Sequence, residues 1–329
     1  MSLHIIVDAD PIVYRAGFAS ETRNYSVVFE TQDGEMVEKL FCKDTDTSAG
    51  AKKKAFKEEH PSWEVVSDVL TPDVEPLEFC LTGVKLTLRA CIRDAVREYN
   101  TAHSTAYTVE SSVVSLLLTG KGNFREGVAT ILPYKGNRAD VAKPVHYQAI
   151  RDYLCRSHDA KMIEGWEADD ECSILGWRAY AKNTPAIVCT IDKDLDQIPV
   201  PHYDYAKKVY YEVDEDEGNY LFHKQCLTGD STDNIQGMFR MGAKGAEKLL
   251  EKWSTEYSEE PTYETWDAYV WRHTVEQYAA NMEKYPDKFP EGMAPEDAAT
   301  ETARLVFMQQ HHYQLWTPPG QPDKELNHA

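Results

Sequence analysis

Ile5-Ile6-Val7-Asp8-Ala9-Asp10-Pro11 is the stretch from which the rest of the chain can be read. Three β-branched residues in a row, cut off by two acids and a proline, read as a short buried strand with carboxylates at its carboxyl end. The signature recurs at Ala186–Thr190, which runs directly into Asp192, Asp194 and Asp196. Strands apolar on both faces belong in a parallel sheet covered on both sides. The segments between them fit that arrangement. Leu77–Tyr99 reads as a long helix with Leu81, Val84, Leu88, Cys91, Ala95 and Tyr99 on one face, and Ser111–Leu118 as another buried strand. Lys143–Ser157 and Ala168–Ala181 read as helices flanking a short strand at Lys161–Ile163. Strands alternating with helices predict an α/β fold around a mostly parallel sheet.

Two stretches stand outside this alternation. In residues 24–70, alternating segments around Gln32-Asp33-Gly34 predict a hairpin, followed by a polar helix near Lys52–Glu59 and a strand near Trp63–Val69. This block holds no chemical constellation and reads as an insertion. After Val209–Val213, a turn-rich segment leads into a helix near Gly237–Leu250. The remaining tail is rich in Trp, Tyr, Pro and Glu, with a helix starting at Pro295. The expected organisation is a core over 1–228, with the insertion, and a helical region with its tail over 229–329.

The chain has 329 residues, 55 Asp+Glu against 35 Lys+Arg, and a net charge of −20. Apolar residues make up 42% and charged residues 27%, the composition of a soluble globular protein. No apolar run approaches the ~20 residues of a membrane span, and no basic-then-apolar leader is visible. The seven cysteines are scattered, with no C-x-x-C pair, so a reducing cytoplasm is the default. An acidic balance argues against phosphate-rich partners in general. Residues 121–161, however, carry eight basic side chains against four acidic ones, a candidate phosphate track.

The acids fall into four groups: Asp8 with Asp10; Glu167, Asp169 and Asp170 at a helix start; Asp192, Asp194 and Asp196 after a strand; and Asp230 with Asp233. Glu167 and Asp170 are three apart and share a helix face. In extended chain Asp192, Asp194 and Asp196 would point the same way. Ligand sites in open parallel sheets lie beyond the carboxyl ends of the strands, where the first and third groups fall. So many carboxylates converging in one cleft need cations, and all-oxygen ligation suits Mg²⁺ or Mn²⁺. A calcium loop starting at Asp192 is excluded, because Gln197 and Tyr203 stand where it needs glycine and glutamate. There is no nucleotide phosphate loop and no G-x-S-x-G elbow.

In chain order, Ile6-Val7-Asp8-Ala9-Asp10, Tyr134-Lys135-Gly136-Asn137-Arg138, Glu167-Ala168-Asp169-Asp170, Asp192-Lys193-Asp194, Gly229-Asp230-Ser231-Thr232-Asp233-Asn234 and Gly242-Ala243-Lys244-Gly245-Ala246-Glu247-Lys248 resemble the motifs of the flap endonuclease and 5′-3′ exonuclease family, above all its bacteriophage members. The resemblance covers about half the chain. It implies a PIN-like nuclease core and a helix-three-turn-helix region that holds duplex DNA. It implies two divalent-metal sites, the first matching Asp8, Glu167, Asp169 and Asp170, the second Asp192, Asp194, Asp230 and Asp233. Asp10 and Asp196 are further candidates. Lys135 and Arg138 match the basic gateway helix that grips the scissile phosphate, with Tyr134 beside them. Gly242, Lys244, Gly245 and Lys248 match the duplex-binding element, which also has room for a monovalent cation.

Glycines allow close backbone approach and amides at a helix start donate to phosphate, so the bottom-up reading of Gly242–Lys248 agrees. Contacts of that kind carry no base information and predict structure-specific recognition. One departure is clear. Where the family carries an aspartate after the strand preceding the gateway, Ser115–Thr119 is followed by Gly120, and one first-site ligand is missing. The expectation is a Mg²⁺-dependent 5′ nuclease acting on ends or flaps of duplex DNA, with RNA primers as further substrates. The alternatives are a ribonuclease H-type role on RNA–DNA hybrids and a non-catalytic DNA-binding protein on a decayed nuclease fold.

Overall fold

The computed structural model describes residues 2–43, 47–138, 141–259, 264–322 and 324–326. The chain opens with β1 (His4–Asp8) and α1 (Asp10–Ala19), continues through β2 (Glu21–Glu30), β3 (Met36–Phe41), α2 (Ala49–Glu59) and β4 (Glu64–Val74), and reaches the long α3 (Leu77–His103). Next come β5 (Val113–Thr119), α4 (Phe124–Val128), α5 (Tyr147–His158), β6 (Lys161–Ile163), α6 (Ala168–Ala181) and β7 (Ala186–Thr190). They are followed by β8 (Pro201–Asp204), β9 (Val209–Glu212), α7 (Glu215–Thr228), β10 (Gly229–Asp230), β11 (Ile235–Gln236), α8 (Ala243–Glu259), α9 (Trp266–Lys284) and α10 (Pro295–Val306). Two short strands, β12 (Gln314–Leu315) and β13 (Lys324–Glu325), lie in the tail.

These elements form two compact units. The first comprises Met1–Asp10, Ala90–Val141 and Asp159–Ala329, the second Pro11–Arg89 and Ala142–His158. In the first, six strands stand in the order β6-β5-β1-β7-β8-β9, all parallel except β9, which pairs antiparallel with β8. The expected α/β fold with a mostly parallel sheet is present. β1 is flanked by β5 and β7, with Asp8 beside Leu117 and Val7 beside Cys189. Such a two-sided strand must be apolar throughout, which is why Ile5, Ile6 and Val7 are fully buried. Ala168, Cys172 and Ala179 of α6 cover one face against Ile6, Leu117 and Val188.

A second core of the same unit joins α7 to α10: Cys226, Leu227, Leu250, Trp253, Trp271, Tyr278 and Ala303 pack together. The boundary expected near 228 falls inside this core, since α7 shares its buried residues with the helices after it. α9 was not legible in the sequence. Its aromatic-rich composition hides a spacing of four between the buried Val270, Thr274 and Tyr278.

The second unit contains the 24–70 block. β3-β2-β4 make an antiparallel sheet, and Val27, Phe29, Phe41 and Ala49 form its core with Phe56 and Trp63. The expected hairpin, helix and strand are there. β4 is longer than expected because it pairs with β2 from Glu21 to Glu30. All seven cysteines are free, and among the described residues no helix is long and apolar enough to cross a membrane.

Candidate active site

The carboxyl ends of β1, β5 and β7 lie side by side, and each brings a polar group. Asp8 ends β1 with 2% of its surface exposed, and Thr190 at the end of β7 donates its hydroxyl to it at 3.1 Å. Asp10 accepts the Thr119 backbone N–H at 2.8 Å, so its carboxylate stands at the end of β5. Burial, then Asp10 and Asp192, push Asp8 up to about 8. Asp169, at the start of α6, is raised by burial and by Asp8, Asp192 and Glu167. Burial also raises Asp192, with Asp233 and Asp230 adding to the effect, and lifts Asp194 to about 8 together with Asp192 and Asp230. Like charges act on one another across all four sequence groups, which is the convergence expected from sequence.

Asp170 is different. Both its oxygens are taken by the buried guanidinium of Arg125, at 2.6 and 2.8 Å. The backbone N–H groups of Glu167 and Gln309 donate to it as well, at 3.2 and 3.4 Å. The side chain is 0% exposed. Four donors on two oxygens leave it no place toward a cation, so its expected role as a first-site ligand is corrected: it caps α6 and anchors Arg125. Being three residues from Glu167 places it in the same capping turn, but its carboxylate is taken up by Arg125 and backbone N–H groups.

Asp192, Asp194 and Asp196 do not point one way. Residues Lys193–Gln197 form a 3₁₀ helix, with Asp192 as its N-cap accepting the Asp194 N–H at 3.0 Å. A 3₁₀ turn advances about 120° per residue and separates side chains that an extended chain would align. Asp194 accepts from Gln225 at 2.8 Å, whereas Asp196 accepts the Tyr211 hydroxyl of β9 at 2.7 Å. Asp196 is therefore engaged away from the other acids.

The segment Tyr134–Arg138 is not an α-helix among the described residues. Lys135 has φ 52°, in the left-handed region, and only Gly136–Arg138 make a 3₁₀ turn. Pairing with the Asp230–Asn234 loop explains the departure. Lys135 N–H donates to Asp233 O at 2.8 Å, Asn234 donates to Pro133 O at 2.7 Å, Asn137 to Ser231 O at 2.9 Å and Arg138 Nε to Thr232 O at 3.0 Å. Tertiary hydrogen bonds outweigh the local preference for helix.

The two cations meet the acids directly. Lys135 Nζ bonds Glu167 and lies 3.3 Å from Asp233, while Arg138 bonds Asp233. The Tyr134 hydroxyl donates to Glu167 at 2.7 Å and to Asp233 at 3.0 Å. Burial alone would raise Glu167, but Lys135 and Arg125 hold it below the usual carboxylate range. Lys135 is raised despite burial, because Glu167 and Asp233 favour its charged form.

Gly242, Lys244, Gly245 and Lys248 lie at the exposed start of α8. Ala246, Leu250 and Trp253 form its buried face. The exposed cations and the first amides of the helix thus share the solvent side.

The acid cluster suits a hard divalent cation by its chemistry. Its donors are all oxygen, and Asp8 and Asp194 are pushed up to about 8 because the protein supplies too little positive charge to compensate their ionised form, which a bound cation would do. Among the described residues, no three His, Cys, Asp or Glu side chains form a ready-made cage. The fit therefore rests on donor type and charge, not on coordination geometry. Three supporting residues escaped the sequence reading: Arg125, Thr190 and Glu301, which accepts the N–H groups of Thr130 and Ile131 at 2.7 and 2.8 Å.

The DNA polymerase I of Bacillus caldotenax is 29% identical over 155 residues, 41% of this chain. Those of Thermus aquaticus and Rhizobium leguminosarum are 33% and 34% identical over 133 residues. The chain spans only 17%, 16% and 13% of these polymerases. No protein-family model matches it. Among solved structures, T5 D15 protein co-crystallised with metal ions aligns with a TM-score of 0.42 and 16% identity, over 64% of this chain and 78% of that one. T5 D15 flap endonuclease in a pseudo-enzyme-product complex with DNA and metal ions aligns at 0.42 and 18%, over 64% and 80%. T5 5′-exonuclease with bound zinc aligns at 0.42 and 17%, over 68% and 84%.

Proposed function

We propose that the protein is a divalent-metal-dependent 5′ nuclease that hydrolyses phosphodiester bonds at the 5′ ends or flaps of duplex DNA. The observation that carries this reading is the convergence of Asp8, Asp169, Asp192, Asp194 and Asp230 beside Lys135 and Arg138, at the carboxyl edge of the sheet. Asp8, Glu167 and Asp169 are proposed to hold one cation, with Asp10 close by, and Asp192, Asp194, Asp230 and Asp233 a second. Bound Mg²⁺ or Mn²⁺ would supply activation of water and stabilisation of the leaving oxygen.

The chain's own residues orient the substrate. A phosphate entering the cleft competes with Glu167 and Asp233 for Lys135 and Arg138, and charge-assisted bonds to phosphate are the strong kind. Tyr134 keeps Glu167 and Asp233 oriented through one hydroxyl. The start of α8, with Gly242, Lys244, Gly245 and Lys248, would hold the duplex backbone, and a monovalent cation at that loop fits the same reading. Phage DNA replication and recombination, RNA–DNA hybrids as further substrates and a place in the cytoplasm are part of this proposal.

Gly120 and the engagement of Asp170 favour a second reading, a DNA-binding protein without catalysis. Cleavage of end-labelled blunt, nicked, 5′-flap and RNA–DNA substrates, with Mg²⁺ and with EDTA, separates the two. Metal-dependent release of 5′ products is expected. Binding of flaps without cleavage at any metal concentration would leave only the second reading.

A further inference from the structure

Around the loop Met238–Met241, just before α8, Arg240 of the loop and two lysines from the end of α9 and the turn after it lie against aromatic rings that none of the motifs includes. Phe239 and Tyr285 meet edge to face, with centroids 5.1 Å apart. Arg240 lies 5.5 Å from the Phe239 centroid and 5.8 Å from that of Tyr285. Lys284 stands 5.2 Å from the Tyr285 ring and Lys288 5.2 Å from Phe239. The platform is braced from α9: the Asn281 side chain accepts the Phe239 N–H at 2.9 Å and donates to its carbonyl at 3.1 Å. Arg240 has φ 65°, in the left-handed region, and is exposed.

The chain as a whole carries a net charge of −20. Lys288 has Asp287 at 2.7 Å, whereas Arg240 and Lys284 lie against Tyr285, with no ion pair to a carboxylate among the described residues. Rings hold a cation without neutralising it and limit the side-chain freedom that binding would otherwise remove. Positive charge kept un-neutralised and pre-ordered on an acidic protein matches a polyanion. Arg240 stands two residues before Gly242 and four before Lys244, at the exposed approach to α8.

We infer that Arg240, Lys284 and Lys288 form a second backbone clamp for duplex DNA, extending the footprint beyond the glycine loop of α8. This rests on the duplex-binding part of the proposed function. Contacts to phosphate are sequence-independent, and each one that neutralises a phosphate adds about 0.9 to the salt slope of binding.

The test is a salt titration of duplex binding by the full chain and by the triple variant Arg240→Gln, Lys284→Gln, Lys288→Gln. The variant is expected to lose affinity roughly 10- to 100-fold near 0.1 M salt, with a slope shallower by about 2 to 3. The charge-keeping variant Arg240→Lys, Lys284→Arg, Lys288→Arg is expected to recover most of that loss. An unchanged slope in the triple-glutamine variant overturns the clamp while leaving duplex binding by the parent intact. Equal loss in the charge-keeping variant would mean that packing, not charge, matters, and also overturns it. A parent chain that binds no duplex would sink the clamp and the duplex-binding reading together.

Discussion

Arg125 and Asp170 meet side-on, guanidinium to carboxylate, with two hydrogen bonds of 2.6 and 2.8 Å, and neither is more than 1% exposed. Arg125 also donates to Leu305 O and Phe307 O at 2.9 Å each. One ion pair thus ties the start of α6, from which Glu167 and Asp169 project, to the end of α10. Burial disfavours the charged arginine, but Asp170 outweighs it and raises its pKa.

Removing one partner from a buried pair leaves the other charge stranded, at a cost of about 3–5 kcal/mol. Arg125→Ala and Asp170→Asn should each lower stability to urea by an amount of this order. A loss of cleavage in Asp170→Asn should therefore accompany a loss of folded protein. If either variant unfolds at the parent's urea midpoint, the pair does not brace α6.

Asp192→Asn tests the metal-dependent chemistry without that complication, because Asp192 caps only a short turn and is partly exposed. It should abolish cleavage, as should EDTA on the parent. Duplex affinity should hold or rise, since one less acid repels phosphate. Parent-level cleavage by this variant would refute a carboxylate-held cation.

Lys135→Ala should lower the single-turnover rate by roughly 10²-fold or more, the scale of losing a charge-stabilising group at a reacting centre. Lys244→Ala and Lys248→Ala should instead weaken duplex binding and make it less salt-dependent, each by about one phosphate contact. If Lys135→Ala changed affinity alone, the lysine would be a binding residue and not part of the reacting centre.

Restoring the missing acid at position 120 is expected to fail. A Cβ at Gly120 would stand 2.5 Å from the backbone oxygen of Ile163 and 2.6 Å from Glu164. Gly120→Asp should destabilise the β5–β6 edge by about 1–3 kcal/mol or more, rather than tighten metal binding. Asp10→Ala should raise the Mg²⁺ needed for half-maximal rate, because its carboxylate stands at the end of β5 where the aspartate would be. A metal curve that does not move in Asp10→Ala would leave Asp10 with a structural role only.

The strands β1, β5, β6 and β7 and helix α6 were legible because their cues are local: β-branched runs, acids at their ends and a regular apolar face. The grouping of the acids at the carboxyl edge followed from the same cues, since in a parallel sheet strand ends necessarily meet. Side-chain partners were not legible, because a residue's neighbours in space are not those in sequence. Asp170 looks like Asp169 in the chain, yet one faces the acids and the other a buried arginine 45 positions away. Tyr134–Arg138 has helical spacing, but bonds to the Asp230–Asn234 loop hold it as a turn. Gly120 reads as a missing ligand, and only the packed backbone shows that no side chain fits there. The sequence by itself determined which elements form and which chemistry they carry. The tertiary structure alone decided which carboxylates remain open to a cation, because that depends on desolvation and on hydrogen-bond partners that come together only when distant segments pack.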